Sequence, residues 1–330
     1  MAGQKTKDKV LQLLEERNGT FISGQEIADT LFITRAGIWK AVKALRDAGI
    51  NIEAVSNRGY RLVKETDILS KKSIDTKLTE AGLNLETFIY DEVESTNETA
   101  RKYAQENDND AVFISDYQTN GHGRRGRVFH SPKGTGIYMS LLIHPKVDVA
   151  KATSLTCMAA VAVCRAIEEF TDFNPKIKWV NDIFLEDKKI CGILTEGHTS
   201  IEDGSLEYVI VGIGINLYLP RDGFPEEIRK IAGVLFEEGQ TREDVKNSLS
   251  ALIIENFHKL YSAGEEADYI EDYRSRSNLI GNYVKIVSPG ASSNSYGKVL
   301  GIDDDCHLVV EFDNGETKAL STGEVSVVKY

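Results

Sequence analysis

The sequence has little of what metal-based, disulfide-based or membrane-based function requires. Four cysteines occur in 330 residues, and none form a CxxC pair. Cys157, Cys164, Cys191 and Cys306 lie in apolar or strand-like surroundings, so they are expected as buried free thiols, and their spacing speaks against a zinc site. The six histidines are scattered, without HxxxH or HExxH spacing, and no protein-built transition-metal site is indicated. No segment approaches the roughly 20 unbroken apolar residues that a membrane helix needs. The opening residues, MAGQKTKDKVLQLLEERNGT, are charged and lack a signal-peptide core. The expectation is a cytoplasmic protein without a membrane partner. A Walker GxxxxGK[ST] is missing, and no GxGxxG opens a helix, since the residues after Gly126 read as strand. No Ser-His-Asp or Cys-His arrangement is compelling.

What is present suits a folded chain of two or three domains, with 41% hydrophobic residues and a net charge of -12. Such acidity argues against the whole chain binding nucleic acid. The charge is uneven: residues 1–66 hold 11 Lys+Arg and 8 Asp+Glu, against 28 and 43 in the remainder. The two parts should meet different partners.

Residues 8–16 show a short helical pattern through Val10, Leu11, Leu13 and Leu14. Ser23-Gly24-Gln25-Glu26 reads as a capping box opening a second helix. Thr34 is an N-cap candidate for a third, whose apolar face is Ile38, Ala41, Val42 and Leu45, with Arg35, Lys40, Lys43 and Arg46 elsewhere on it. Gly49 should end it. Two short strands around Ser56-Asn57-Arg58-Gly59 form a hairpin with a basic tip. This order is that of a winged helix-turn-helix, over residues 1–66. Thr34, Arg35, Lys40, Lys43 and Arg58 are its candidate DNA contacts. Trp39, at the edge of the apolar stripe, is left open between packing and DNA. Residues 64–75 read as a charged linker.

The centre of the chain carries the chemistry. Gly121-His122-Gly123-Arg124-Arg125-Gly126-Arg127 packs three glycines and three arginines into seven residues. Glycines let successive N–H groups turn toward one anion, and the arginines add forked donors. Upstream, Ser95 or Thr96 is positioned to cap a helix through Ala100 and Tyr103. Gly136–Ile143 reads as a buried strand and 150–170 as a long apolar helix. Lys176–Leu185 and Lys189–Glu196 read as a hairpin that sets Asn181, Asp182 and Lys189 among apolar neighbours, where polar groups are costly unless paired or used on a ligand. Tyr208–Leu217 reads as a strand, and 225–237 and 242–262 as helices. An anion site of basic loop, lone lysine and one carboxylate suits acyl-adenylate chemistry, in which a carboxylate attacks the α-phosphate of ATP and magnesium accompanies the phosphates. From Leu279 onward, short β runs with turns at Ser288-Pro289-Gly290 and Asp313-Asn314-Gly315 suggest an SH3-like barrel.

Five motifs, in order, carry a resemblance: Glu94-Ser95-Thr96-Asn97, Gln118 through Gly126, Lys178-Trp179-Val180-Asn181-Asp182, Lys189 through Leu194, and Gly212 through Asn216. With them the chain resembles the bacterial bifunctional biotin protein ligases that also repress the biotin operon. The resemblance implies an α+β protein: a winged helix (1–66), a mixed-sheet α/β ligase core (67–278) and an SH3-like tail (279–330). It implies biotin, ATP and Mg2+, formation of biotinyl-5′-AMP, and transfer to a lysine of a biotin carboxyl carrier protein. Ser95, Thr96, Asn97, Gln118, His122, Gly123, Arg124 and Lys189 would then contact biotin. Arg124, Arg127, Asn181 and Asn216 would contact the nucleotide, and Lys189, Asp182 and Arg124 would serve the chemistry. Ligand binding would order the loop and promote a homodimer that binds operator DNA.

Two departures stand out. His122 replaces an arginine usual in the loop, which is harmless if the position acts through its N–H. It weakens adenylate retention, or makes it pH-dependent, if the side chain grips an oxyanion. Val180 replaces the proline of Trp-Pro-Asn-Asp, relaxing the backbone while keeping the polar pair. A biotin-sensing repressor without transferase activity, and a ligase for another acyl cofactor such as lipoate, remain the alternatives.

Overall fold

The structure is a computed structural model that describes residues 6–17, 20–47, 52–55, 58–62, 67–145, 152–199, 206–237, 244–264, 268–287, 295–321 and 326–329. The expectations for Gly49, Ser56-Asn57, Ser288-Pro289-Gly290, residues 64–66, 150–151 and 242–243 lie outside the described residues. The chain divides into two compact units, Met1–Ile68 with Arg242–Asp244, and Leu69–Thr241 with Val245–Tyr330.

In the first unit, helices α1 (Thr6–Glu16), α2 (Gly24–Leu31) and α3 (Arg35–Asp47) precede the hairpin of β1 (Ile52–Val55) and β2 (Gly59–Leu62). Its core gathers Val10, Leu14, Ile22, Ile27, Ile38, Val42, Leu45 and Ile52. Each such fully buried aliphatic side chain contributes about 1.5–3 kcal/mol. Ser23 Oγ accepts from Glu26 N–H at 3.0 Å, as the capping box predicts. Glu26 itself turns to Arg17 at 2.5 Å, so the reciprocal half of the box is replaced by an ion pair. Gly59 has φ +99, and a Cβ there would lie 2.1 Å from Ile22 O. Glycine thus lets the wing close onto Ile22, which exchanges backbone hydrogen bonds with Tyr60.

The second unit begins with α4 (Lys71–Glu80), β3 (Glu86–Tyr90), α5 (Thr96–Ala104), β4 (Ala111–Ser115), β5 (Gly136–Ile143) and α6 (Ala152–Phe170). It continues with β6 (Lys176–Lys178), β7 (Asp182–Leu185), β8 (Lys188–Thr199), β9 (Leu206–Asn216), α7 (Glu226–Arg229), α8 (Val245–Ala263) and α9 (Tyr269–Arg276). One seven-stranded sheet runs β3-β4-β5-β9-β8-β7-β6. Among the described strands of this sheet, only β3 and β4 pair in parallel, joined through α5. Alternation along the strands decides what each face does. Ile137, Met139 and Leu141 of β5, Val211, Ile213 and Ile215 of β9, and Cys191 and Ile193 of β8 join the buried cluster with α6 and α8. The residues between them, Tyr138 and Ser140, Gly212 and Gly214, and Gly192, therefore belong to the opposite face.

The second unit ends in a five-stranded antiparallel sheet, in the order β13 (Thr317–Leu320), β12 (Leu308–Phe312), β11 (Ser295–Ile302), β10 (Tyr283–Val287) and β14 (Ser326–Lys329). Its inward residues Val284, Val299, Leu308 and Val310 belong to the same cluster as the larger sheet. The buried Trp179 Nε1 donates to Cys306 O at 2.9 Å, tying the two sheets together. The α+β class is confirmed, and a pairing of β13 with β14 that would close a barrel is not seen among the described residues.

Four local expectations change. Residues 71–75 are not linker but the first half of α4, which Ser70 caps through Ser73 N–H. Lys176–Leu185 is two antiparallel strands, reversing through Trp179-Val180-Asn181. That reversal lacks glycine or proline, and Asn181-Asp182 is its one local turn signal. Residues 225–237 are helical only over Glu226–Arg229, because Ala232 then pairs with Lys189 in a β-bridge. The residues after Gly126 form no strand, only a lone bridge of Val128 with His122. All four cysteines are buried and free, as expected.

Candidate functional site

On the glycine-bearing face of the large sheet, a polar cluster forms where α5 begins. Ser95 is the helix N-cap, in extended conformation, and its hydroxyl makes no cap hydrogen bond. Thr96 N–H donates to Gln118 Oε1 at 2.9 Å, and Thr96 Oγ1 lies 3.2 Å from the same oxygen. Ser140 Oγ is 2.7 Å from Thr96 Oγ1 and 2.6 Å from Asn97 Oδ1. Asn97 Nδ2 donates to Glu196 at 2.7 Å, and Gln118 Nε2 donates to Ser131 Oγ at 2.9 Å. Ser95, Thr96, Asn97, Ser131 and Ser140 are all buried. Buried polar groups with several mutual partners form a rigid donor and acceptor array.

The glycines make room for this array. A Cβ at Gly212 would lie 2.3 Å from Asn97 Oδ1, and one at Gly214 would lie 2.5 Å from the Phe129 ring. Gly214 pairs directly with Gly192 of β8. The result is a floor of bare backbone, on which the Phe129 ring rests.

Beyond Phe129 lies the cationic end. Arg125 takes φ 58 and Gly126 φ 72, so the loop folds into a tight turn over Arg124–Gly126. Gly123 N–H donates to Arg127 O at 2.6 Å, and Phe129 N–H donates to Gly121 O at 2.9 Å. This turn delivers Arg124 Nη1 to Asn181 Oδ1 at 3.1 Å. Asn181 Nδ2 in turn donates to Ile193 O at 2.8 Å. A register shift in the β7–β8 hairpin accompanies the pairing of Asp182 with Gly192 and of Phe184 with Lys189. Lys189 Nζ reaches Asp182 Oδ1 at 2.6 Å. Burial, then the neighbouring charges of Arg125 and Arg127, push the Arg124 pKa down, against the pull of Asp182. Burial likewise lowers Lys178, where Lys189 and Arg127 add to the effect and Asp182 opposes it. Cations so crowded are relieved by an incoming anion.

Ser95, Thr96, Asn97 and Gln118 thus sit together, and so do Arg124, Asn181, Asp182 and Lys189. Gly123 lies in the loop turn. His122 and Arg127 have exposed side chains, and the backbone of His122 bridges to Val128. Asn216, at the end of β9, donates to Gly233 O at 3.0 Å. Sequence reasoning passed over Ser131, Ser140, Glu196 and Phe129. Ser140 had a signal: the one serine within the otherwise apolar and aromatic run of β5.

In the first unit, Thr34 Oγ1 caps α3 through Gly37 N–H at 3.2 Å. Arg35, Lys40 and Lys43 are exposed. Arg46 is spent internally, donating twice to Ile52 O at 2.8 and 2.5 Å. On the wing, Arg58 and Arg61 lie 4.4 and 4.8 Å from the Phe21 ring centroid. Arg61 also pairs with Glu53 at 2.5 Å.

Comparison with known proteins follows the same division. The Biotin/lipoate A/B protein ligase family matches residues 90–216, an HTH domain matches 6–61, and the biotin protein ligase C-terminal domain matches 279–328. The bifunctional ligase/repressor BirA of Bacillus subtilis is 34% identical, over 94% of this chain and 96% of its own. That of Escherichia coli is 28% identical, over 97% and 96%. Among solved structures, the biotin protein ligase from Aquifex aeolicus in complex with biotin and ATP aligns with TM-score 0.61 at 26% identity, covering 74% of this chain and 99% of that one. The chain belongs to the family of bifunctional ligase/repressor proteins of the BirA type.

Proposed function

We propose that this protein joins biotin to ATP as biotinyl-5′-AMP, transfers the biotinyl group to a lysine of a biotin carboxyl carrier protein, and represses biotin genes from operator DNA. The observation that carries the reading is the continuity of one sheet face, from the buried Thr96–Gln118–Ser140 array, across the glycine floor, to the Arg124–Asn181 and Lys189–Asp182 pairs. Such a face accepts a ligand with a polar head, an apolar middle and an anionic tail.

In this proposal Ser95, Thr96, Asn97 and Gln118 hold the ureido and ring end of biotin. His122 and Gly123 contribute loop backbone over the ligand, and Lys189 and Arg124 meet the carboxylate and α-phosphate. The biotin carboxylate oxygen attacks the α-phosphorus and pyrophosphate leaves. The carrier amine then attacks the acyl carbonyl, loses its proton, and AMP leaves. Arg124, Arg127 and Lys189 neutralise charge where it builds on the phosphate, while Asn181 fixes the Arg124 fork. Asn216 lies at the adenine end. Asp182 holds Lys189 in place until the anion arrives.

Magnesium fits as an ion brought by ATP. The cationic end of the site offers one carboxylate, Asp182, and among the described residues no cluster of three or more His, Cys, Asp or Glu is placed to hold a metal. Phosphates and water would carry it, neutralising the leaving pyrophosphate. The proposal assigns residues 1–66 to operator binding, 67–278 to ligation and 279–330 to the C-terminal sheet, with two chains associating when ligand is bound. It places the protein in the cytoplasm, where ATP and carrier meet. Among the described residues no helix is long and apolar enough to cross a membrane.

Mass spectrometry of the chain with biotin, Mg-ATP and a carrier domain tests the reading. Biotinyl-5′-AMP and a mass gain on one carrier lysine are expected, with lipoate failing to compete. Operator binding without any adenylate would reduce the protein to a sensor, and preference for lipoate would change its substrate.

A further inference from the structure

Trp39 is the only aromatic residue of α3, and the core does not use it. It is 57% exposed, while Ile38, Ala41, Val42 and Leu45 of the same helix are at most 5% exposed. Ala36, Trp39, Lys40 and Lys43 are all exposed, and they follow the i, i+3, i+4, i+7 spacing of one helical face. Lys43 Nζ stands 5.5 Å from the Trp39 ring centroid. A large apolar ring is therefore held on the outer face of the helix, beside two cations and one turn beyond a small residue that permits close approach.

An isolated exposed apolar side chain needs no explanation. This one lies on the face that a winged helix lays in the major groove. The flanking lysines are complementary to phosphates, which fix position without reading sequence. Among base edges in that groove, the apolar feature is the C5 methyl of thymine. We propose that Trp39 reads a thymine, its indole edge packing on the C5 methyl of one base pair while Lys40 and Lys43 hold the flanking phosphates. This rests on the winged-helix reading and deepens it: the lysines supply affinity, and Trp39 supplies selectivity at one position of each half-site.

The test uses the full chain with biotin and Mg-ATP. Preferred duplexes are selected from a random pool, and each thymine is replaced in turn by deoxyuridine, which removes only the methyl. Wild type should lose roughly threefold to tenfold in affinity at one position per half-site, the worth of one buried methyl. Trp39→Ala should show a similar loss on the thymine duplex and no further loss with uridine. Trp39→Phe, which keeps an aromatic edge, should retain the uridine effect. The salt dependence of Trp39→Ala should match wild type, whereas Lys43→Ala should lower the slope by about one. Biotin transfer to the carrier should be unchanged in Trp39→Ala, and the unfolding transition of its first unit should match wild type, showing that the winged helix itself folds. If that variant does not fold, the wild-type and Trp39→Phe uridine scans decide. A flat wild-type scan overturns the proposal, and so does full uridine sensitivity in Trp39→Ala. A wild-type chain that selects no sequence at all overturns the winged-helix reading itself, a distinguishable failure.

Discussion

On helix α3 and the wing, Arg35, Lys40, Lys43 and Arg58 are spread over a surface and stand in water. In the ligase loop, Arg124 is half-buried, donates to Asn181 and has its pKa pushed down by burial and by Arg125 and Arg127. The same residue types thus do two jobs. A spread of solvated cations suits a polyanion and gives affinity that salt erodes. A crowded, partly desolvated cluster suits one small anion, because the electrostatic attraction is strongest where water is excluded.

The largest separation of the two regions comes from deleting residues 1–66. Operator binding should vanish in a mobility-shift measurement, while the remaining chain still unfolds cooperatively around its own core. Persistent sequence-specific DNA binding would mean that the basic face of α3 is not the reader. Next, Lys189→Ala should slow biotinyl-5′-AMP formation about a hundredfold, the usual scale for removing one preorganised charge contact, and leave the salt slope of DNA binding intact. A near-normal rate would make the Lys189–Asp182 pair merely structural.

Gly212→Ala is expected to cost about 1–3 kcal/mol in thermal or denaturant unfolding, because the new methyl meets Asn97 Oδ1. It should also weaken biotin binding, and a silent substitution would show that the floor has slack. Arg124→Ala should speed adenylate release roughly tenfold, as loss of one charge-assisted contact implies. Unchanged retention in a chase experiment would move the anion contact elsewhere in the loop. The smallest effect belongs to Lys43→Ala, which should weaken all duplexes alike and lower the salt slope by about one. A change in sequence preference would assign it to bases instead of phosphates.

Much of this was legible because the relevant signal is local. The capped helices of the first unit, the fully buried β5 and the apolar α6 each announce themselves through periodicity or an unbroken run. The Gly121–Arg127 loop stands out through composition, three glycines and three arginines in seven residues. Other features were illegible for definable reasons. The reversal at Trp179-Val180-Asn181 has no glycine or proline, and its turn-forming pair, Asn181-Asp182, sits inside an apolar run that reads as one strand. The stretch after Arg229 leaves the helix to let Ala232 bridge Lys189, a partner some forty residues away in sequence. The charged stretch before Ile74 conceals α4 because only Ile74 and Leu78 of that helix are buried, too few to form a strong stripe.

By itself, the sequence determined the order of the three parts, the sheet strands that would be buried and the presence of a cationic glycine loop, since propensity, capping and alternation act between near neighbours. Only the tertiary structure decided which of those residues share a site. Register set Gly192 against Gly214 and brought Lys189 to Asp182. The fold of the loop carried Arg124 to Asn181 and the Phe129 ring onto the glycine floor. It also left Trp39 outside its core. These contacts depend on strand pairing between distant segments, where a slip of one residue sends every side chain to the opposite face.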